Sequence, residues 1–335
     1  MRRPTSSIFV LALALPASAL GYDDAPPAEA DAERDVAAAT PATGPIQPLV
    51  PPGVDYPGII DFGPRFSLYL DHTYEYTNDL RTFEWVEGRG NNYRLAVGVV
   101  YRTGGLCLHA EVPVQYTHLR IDLLEKQAPV ASDRDKVAVS LGDINTDAAY
   151  FWDLPSDVLP THVGLGLRVR WPTHTTKYRF GLVTGGTVEF GFPYYLHLAP
   201  AALLSTSYGP VFLVVNQGIL AMLAKDITLD GVVQPIPNIY FHESHVALGL
   251  AATDWLAFTV EVASFIQLNH VDVYRMTNLN DTRAVFLNPA VSLDLGRVRL
   301  AVAGRLGLPG RSSRDFGVIT FSGSSALLTR VSYLF

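Results

Sequence analysis

"THVGLGLRVRW" runs from Thr161 to Trp171. Every second residue is apolar: Val163, Leu165, Leu167, Val169 and Trp171 alternate with His162, Gly164, Gly166, Arg168 and Arg170. An extended strand turns successive side chains to opposite faces, so one face here is hydrocarbon and the other is glycine and charge. A helix would mix the two sets. Which face meets water decides the fold.

The same period recurs outward in both directions. "LCLHAEVPVQYTH" (106–118) sets Leu106, Leu108, Ala110, Val112, Val114 and Tyr116 against Cys107, His109, Glu111, Pro113, Gln115 and Thr117. "YRLAVGVVYR" (93–102) sets Tyr93, Leu95, Val97, Val99 and Tyr101 against Arg94, Ala96, Gly98, Val100 and Arg102. "SSALLTRVSYLF" (324–335) sets Leu327, Val331, Tyr333 and Phe335 against Ala326, Leu328, Arg330, Ser332 and Leu334. Similar segments lie near 65–77, 138–152, 198–207, 209–223, 243–252, 255–268, 284–295 and 297–308. That makes about twelve strands, most near the 9–11 residues a tilted membrane strand needs. "GTVEFGFPYYLHL" (186–198) either lengthens one of them or makes another.

The links alternate in length. Short ones fall at Thr103-Gly104-Gly105, Asp153-Leu154-Pro155, Tyr208-Gly209-Pro210, Thr253-Asp254 and Gly296-Arg297. Longer polar ones fall at 78–90, 121–134, 173–184, 224–242, 269–283 and 309–324. The rhythm is that of an up-and-down meander with all tight turns at one end, and both ends of the strand region at that same end.

Three features put lipid, not water, on the apolar face. Lysine is nearly absent from the strands, and the opposite face carries Gly, Ala and charges of both signs. Aromatic residues gather at strand ends: Tyr93, Tyr101, Tyr116, Trp152, Trp171, Trp255 and Phe335. Such girdles mark the two interfaces of transmembrane barrels. The chain also opens on Met1-Arg2-Arg3, an apolar core from Ile8 to Leu15 and Ala17-Ser18-Ala19, the pattern of an export signal. Strands can span hydrocarbon only as a closed barrel, because an open edge leaves backbone groups unpaired. The fold expected is therefore all-β, a transmembrane antiparallel up-and-down barrel of about 12 strands, placed in a bacterial outer membrane. Its divisions are a signal peptide (1–19), a disordered Ala/Pro/acidic periplasmic tail (20–62) and the barrel (63–335).

Composition agrees. The 335 residues are 48% hydrophobic, yet past the first twenty there is no uninterrupted apolar run long enough for a membrane helix. Much of the net charge of -7 is local, carried by Asp23, Asp24, Glu29, Asp31, Glu33 and Asp35. No basic stripe points to nucleic acid. The single cysteine, Cys107, excludes an internal disulfide and makes a cysteine-based zinc site implausible. No cofactor or metal is implied.

Two stretches resemble a known family. They are "NYRLAVGVVYRTGGLCLHAEVPVQYTHLR" (92–120) and "SLGDINTDAAYFWDLPSDVLPTHVGLGLRVRWPTH" (140–174). The second is similar to that family's Gly-Asp opening, short turn and Gly/Leu strand ending in Pro-Thr, with Gly142-Asp143 and Pro172-Thr173 in those places. The family is the MetA-like set of outer-membrane barrels linked to meta-pathway phenol degradation. The resemblance implies passage of small compounds, aromatic ones included, through the outer membrane. Where members tend to carry Gly after Pro-Thr, this chain has His174. The strand "LLTRVSYLF" also looks like the terminal strand of outer-membrane barrels, whose closing Phe, here Phe335, the barrel-assembly machinery recognises.

With apolar faces to lipid, Arg94, Arg102, His109, Glu111, Asp143, Asp147, Arg168 and Arg170 are the candidate lumen-lining binding residues. Farther round come Glu261, Asp294, Arg299, Arg305 and Arg330. They are read either as a selective polar conduit or as an ion-paired interior; the near balance of signs favours a mostly occluded lumen with a narrow or gated path. The function expected is a passive channel or transporter for small solutes, not an enzyme. The alternatives are a structural or adhesive barrel and, more remotely, a lipid hydrolase. For the last, "FHESHVALG" offers only His242 and Ser244 on one strand face, without the HExxH spacing of a zinc protease. "NHVDVYR", with His270 and Asp272, is as weak.

Overall fold

The computed structural model describes residues 66–83, 86–103, 105–123, 135–155, 159–174, 177–181, 187–191, 195–224, 227–229, 232–234, 238–269, 283–308 and 325–335. The expected signal peptide and acidic tail lie outside the described residues, as do His270 and Asp272.

All described regular structure is strand. The first half holds β1 (Phe66–Phe83), β2 (Val86–Thr103), β3 (Leu106–Leu123), β4 (Asp135–Leu141), β5 (Ile144–Leu154), β6 (Thr161–Trp171), β7 (Lys177–Gly181) and β8 (Thr187–Gly191). The second half holds β9 (Tyr195–Tyr208), β10 (Val211–Ala224), β11 (Ile227–Leu229), β12 (Val232–Gln234), β13 (Ile239–Thr253), β14 (Leu256–Gln267), β15 (Arg283–Asp294), β16 (Val298–Gly307) and β17 (Ser325–Leu334).

The antiparallel ladder runs β1-β2-β3, then β4 and β5 end to end along β3, then β6-β9-β10-β13-β14-β15-β16-β17. It closes because β17 pairs back onto β1, from Ser67 opposite Leu334 to Tyr76 opposite Ser325. Counting β4 and β5 as one interrupted strand gives a 12-stranded closed barrel.

Alternation sets the two faces. On β2, Tyr93, Leu95, Val97 and Tyr101 are exposed, while Arg94, Ala96 and Arg102 are buried. The outer face ends in aromatics at both rims. Phe66, Tyr101, Tyr150, Trp152, Tyr208, Trp255, Tyr333 and Phe335 ring the short-turn end, and Tyr76, Tyr93, Tyr116 and Trp171 the other. Tyr74, Tyr93 and Tyr116 form a row across β1–β3, with centroids 4.8 and 5.9 Å apart. Tyr93 and Tyr101 are eight residues apart on β2. That is about 27 Å along a strand and about 20 Å along the axis at a tilt near 40°, close to the apolar band of a membrane barrel.

The structure departs from the sequence reading in several places. The link expected at 78–90 is mostly strand, since β1 and β2 continue their ladder to Phe83 opposite Val86. The long polar ends of this hairpin run beyond the upper girdle, so backbone pairing outlasts the apolar alternation. The single strand expected at 138–152 is broken at Gly142-Asp143. The link 173–184 overlaps β7, which pairs with β8, so Thr187–Gly191 forms a separate hairpin while Tyr195 onward lengthens β9. The link 224–242 contains the β11–β12 hairpin, and β13 begins already at Ile239.

At one hairpin, β9 to β10, the turn residues are Gly209 and Pro210. Gly209 has φ 55°, the left-handed value a type II′ hairpin needs at its first turn position. Proline then suits the second.

A lumen filled by two ion-pair clusters

Strands β1, β2, β3, β5 and β17 turn one cluster inward. Glu111 on β3 is at its centre. It accepts from Tyr69 Oη (2.9 Å) and Asn145 Nδ2 (3.2 Å), and it pairs with Arg94. Tyr69 Oη also meets His109 Nε2, and His109 Nδ1 meets Asp147. Arg330 on β17 grips Asp71 on β1 with Nε and Nη2 at 2.6 and 2.7 Å, and its guanidinium lies 4.1 Å over the Tyr69 ring. Glu111 and Asp71 are almost fully buried, and a buried charge persists only when paired and hydrogen-bonded.

The second cluster stands on the opposite wall. Arg168 on β6 reaches past β9 and β10 to Glu243 on β13, donating Nη2 to both carboxylate oxygens at 2.8 Å. His245 Nε2 lies 2.7 Å from Glu243, and Asn288 Nδ2 donates to Glu261 at 2.7 Å. Between the clusters lies a cavity of about 60 Å³, bordered by His109, Asp147 and Arg330 on one side and Arg168, Glu243 and His245 on the other. Small residues, Gly166, Ala199, Ala201 and Gly218, line it too and leave the space open.

Above the second cluster, away from the short turns, the lumen wall is apolar. Tyr195, Leu220, Met222, Ile239, Phe241, Phe265 and Phe286 pack together there with Ala199, Ala263 and Ala284. The register fixes their height: on β10 and β13, Asn216 pairs with His245, Gly218 with Glu243, Leu220 with Phe241 and Met222 with Ile239. Polar residues thus give way to apolar ones one layer up. Phe265 meets Phe286 at 6.1 Å and His245 at 5.7 Å, and Arg305 covers the Phe286 ring at 5.6 Å.

The expected lumen residues separate on this map. Arg94, His109, Glu111 and Asp147 come together in the first cluster. Arg168 belongs to the second, and Arg102 faces inward near the short-turn end, buried. Asp143 and Arg170 do something else. Asp143 Oδ1 accepts the backbone N–H of Thr173 and of His174, both at 3.1 Å, and lies 2.6 Å from His174 Nδ1. Thr173 Oγ1 donates to Gly142 O (2.8 Å) and accepts from Ile144 N (3.0 Å). Arg170 Nε is 3.6 Å from Asp143. The Gly-Asp and Pro-Thr stretches are therefore the two halves of one knot, tying the end of β6 to the break between β4 and β5.

Sequence reasoning missed Tyr69, Asp71, Glu243 and His245. Glu243 and His245 share one face of "FHESHVALG", but the sequence reading weighs only the other face, with His242 and Ser244. His242 and Ser244 lie on the opposite face from Glu243 and His245, and Ser244 accepts a hydrogen bond from Gln217 Nε2 across the β10–β13 pair. Among the described residues no group of three or more His, Cys, Asp or Glu is placed to hold a metal ion.

Closure, outward apolar band, paired girdles and inward charge define a transmembrane barrel of the bacterial outer membrane. Solved structures of that class share the fold. The translocator domain of the autotransporter NalP from Neisseria meningitidis matches with a TM-score of 0.52 at 12% identity, over 82% of this chain and 89% of that one. An outer-membrane channel from Pseudomonas putida F1 matches with a TM-score of 0.52 at 14% identity, over 85% of this chain and 100% of that one. No protein-family model and no curated protein sequence matches the chain.

Proposed function

We propose that the barrel is a passive, gated path for small apolar or aromatic solutes across the outer membrane. The apolar lining of the lumen carries this reading. A water-filled pore for ions and sugars has no use for Phe241, Phe265 and Phe286 turned inward, because wetting them opposes the hydrophobic effect. They are packed against one another, and a solute with a ring can replace those contacts in kind as it parts them. The resemblance to barrels linked to phenol degradation and the channel from Pseudomonas putida F1 support the same reading.

The path is interrupted. Arg168 on β6 and Glu243 on β13 close over β9 and β10 just below the apolar lining, so passage along that wall requires the pair to part. The test is initial uptake of a radiolabelled monoaromatic by cells expressing the barrel, against cells without it. Faster uptake that falls on Phe241→Ala is expected. Equal uptake overturns the reading and leaves the second one, a structural or adhesive barrel with a sealed lumen, which the inward ion pairs by themselves would also suit.

A further inference from the structure

Asn216 sits on β10 at the level of the mid-lumen cavity and lines it. It is 4% exposed. Its side-chain amide nitrogen has no hydrogen-bond partner among the described residues. Buried amide groups are nearly always paired, and an unpaired one in a native interior calls for a ligand or a water. Every charged group around the cavity, by contrast, is engaged: Arg168 by Glu243, Arg330 by Asp71, and Asp147 by His109.

The surroundings restrict what could answer Asn216. A free anion in the cavity would face Asp147 and Glu243, and a free cation would face Arg168 and Arg330. A neutral group escapes both. The amide offers two N–H donors, so its complement is an acceptor oxygen. At about 60 Å³ the cavity takes a head group and not a ring. The ring then enters one layer up, past Gly218, by parting the packed side chains of Leu220 and Phe241, with Ala199 belonging to both the cavity wall and that apolar cluster.

We propose that Asn216 is the specificity residue of a mid-lumen subsite, donating to the oxygen of a neutral, ring-bearing solute whose ring packs on the apolar lining. The inference rests on the reading of the lumen as a path for apolar solutes, and adds that oxygenated rings are preferred over plain hydrocarbons. Asn216 would act by hydrogen bonding alone, without covalent change in the solute.

A matched pair of probes tests it. Acetophenone and α-methylstyrene share ring and shape, with CH₂ in place of the carbonyl oxygen in the second. Binding of each is measured by titration calorimetry to the full chain in lipid nanodiscs, with empty nanodiscs subtracted. Acetophenone is expected to bind roughly 5- to 10-fold more tightly, the range of one net hydrogen bond. Asn216→Leu removes that preference and leaves α-methylstyrene binding within about 2-fold, since the transfer to the apolar lining is untouched. Asn216→Val serves as a second variant, and assembly of each is checked by the heat-dependent gel shift of a folded barrel. Phe241→Ala weakens both probes together. Equal affinities in the parent chain, or a preference that survives in the folded Leu or Val variant, overturns the role of Asn216 while leaving the lumen reading intact. Failure of the parent chain to bind either probe overturns both.

Discussion

A side chain added at Gly98 would place its Cβ 2.1 Å from the Tyr69 ring, and one at Gly249 would lie 1.9 Å from the Phe212 ring. In both places an inward aromatic lies flat on the neighbouring strand, and only glycine leaves room. Gly98→Val and Gly249→Val are each expected to destabilise the barrel by about 1–3 kcal/mol through overpacking, read as a lower urea midpoint in lipid. Gly98→Val should also disturb the Tyr69 contacts to Glu111 and His109. The Arg168–Glu243 pair behaves differently, because each partner leaves the other charged and buried. Either Arg168→Ala or Glu243→Ala is expected to cost roughly 3–5 kcal/mol, and the double variant clearly less than the sum, in a double-mutant cycle of unfolding free energies. Strict additivity would show that the two do not interact.

Among the elements, the knot between β6 and the β4–β5 break has the sharpest consequence. Asp143 accepts the N–H of His174, and it shares the N–H of Thr173 with Trp171 O, 2.7 Å away. Asp143→Ala is therefore expected to speed hydrogen exchange at the His174 amide by about 10- to 100-fold, the loss of a bond to a charged acceptor, with a smaller change at Thr173 and little on β14 or β15. Unchanged exchange would mean that the backbone is held by other means. Asp143 was read in the sequence as a lumen charge, and its parity did not reveal the knot. Alternation tells which face a residue takes within a strand, and a break resets it. The strands themselves were legible because their outer faces must be predominantly apolar, as in β6, β14 and β17. What failed were the links, where hairpins such as β7–β8 and β11–β12, with strands of five and three residues, are too short for alternation to declare them. Partners several strands apart failed too, since Arg168 and Glu243 are 75 residues apart in sequence and nothing local joins them.

For the whole molecule, the ion pairs and the apolar lining together predict a barrel that carries little current. Planar-bilayer recordings should show small or rare openings in the parent chain, and larger steps once Arg168 and Glu243 are both replaced by Ala. Large, steady openings in the parent would contradict an interrupted path. The seam between β1 and β17 has another consequence. It sets Asp71 opposite Arg330 and Leu70 opposite Val331, and ten such pairs share one register. Slipping it by a single residue would turn Arg330 toward hydrocarbon and Val331 toward the ion pairs. In a ring no free edge can absorb that error, so the misfit would pass through every strand. Correct closure is thus proofread by parity: a chain joined one step out of phase has no way to be nearly right.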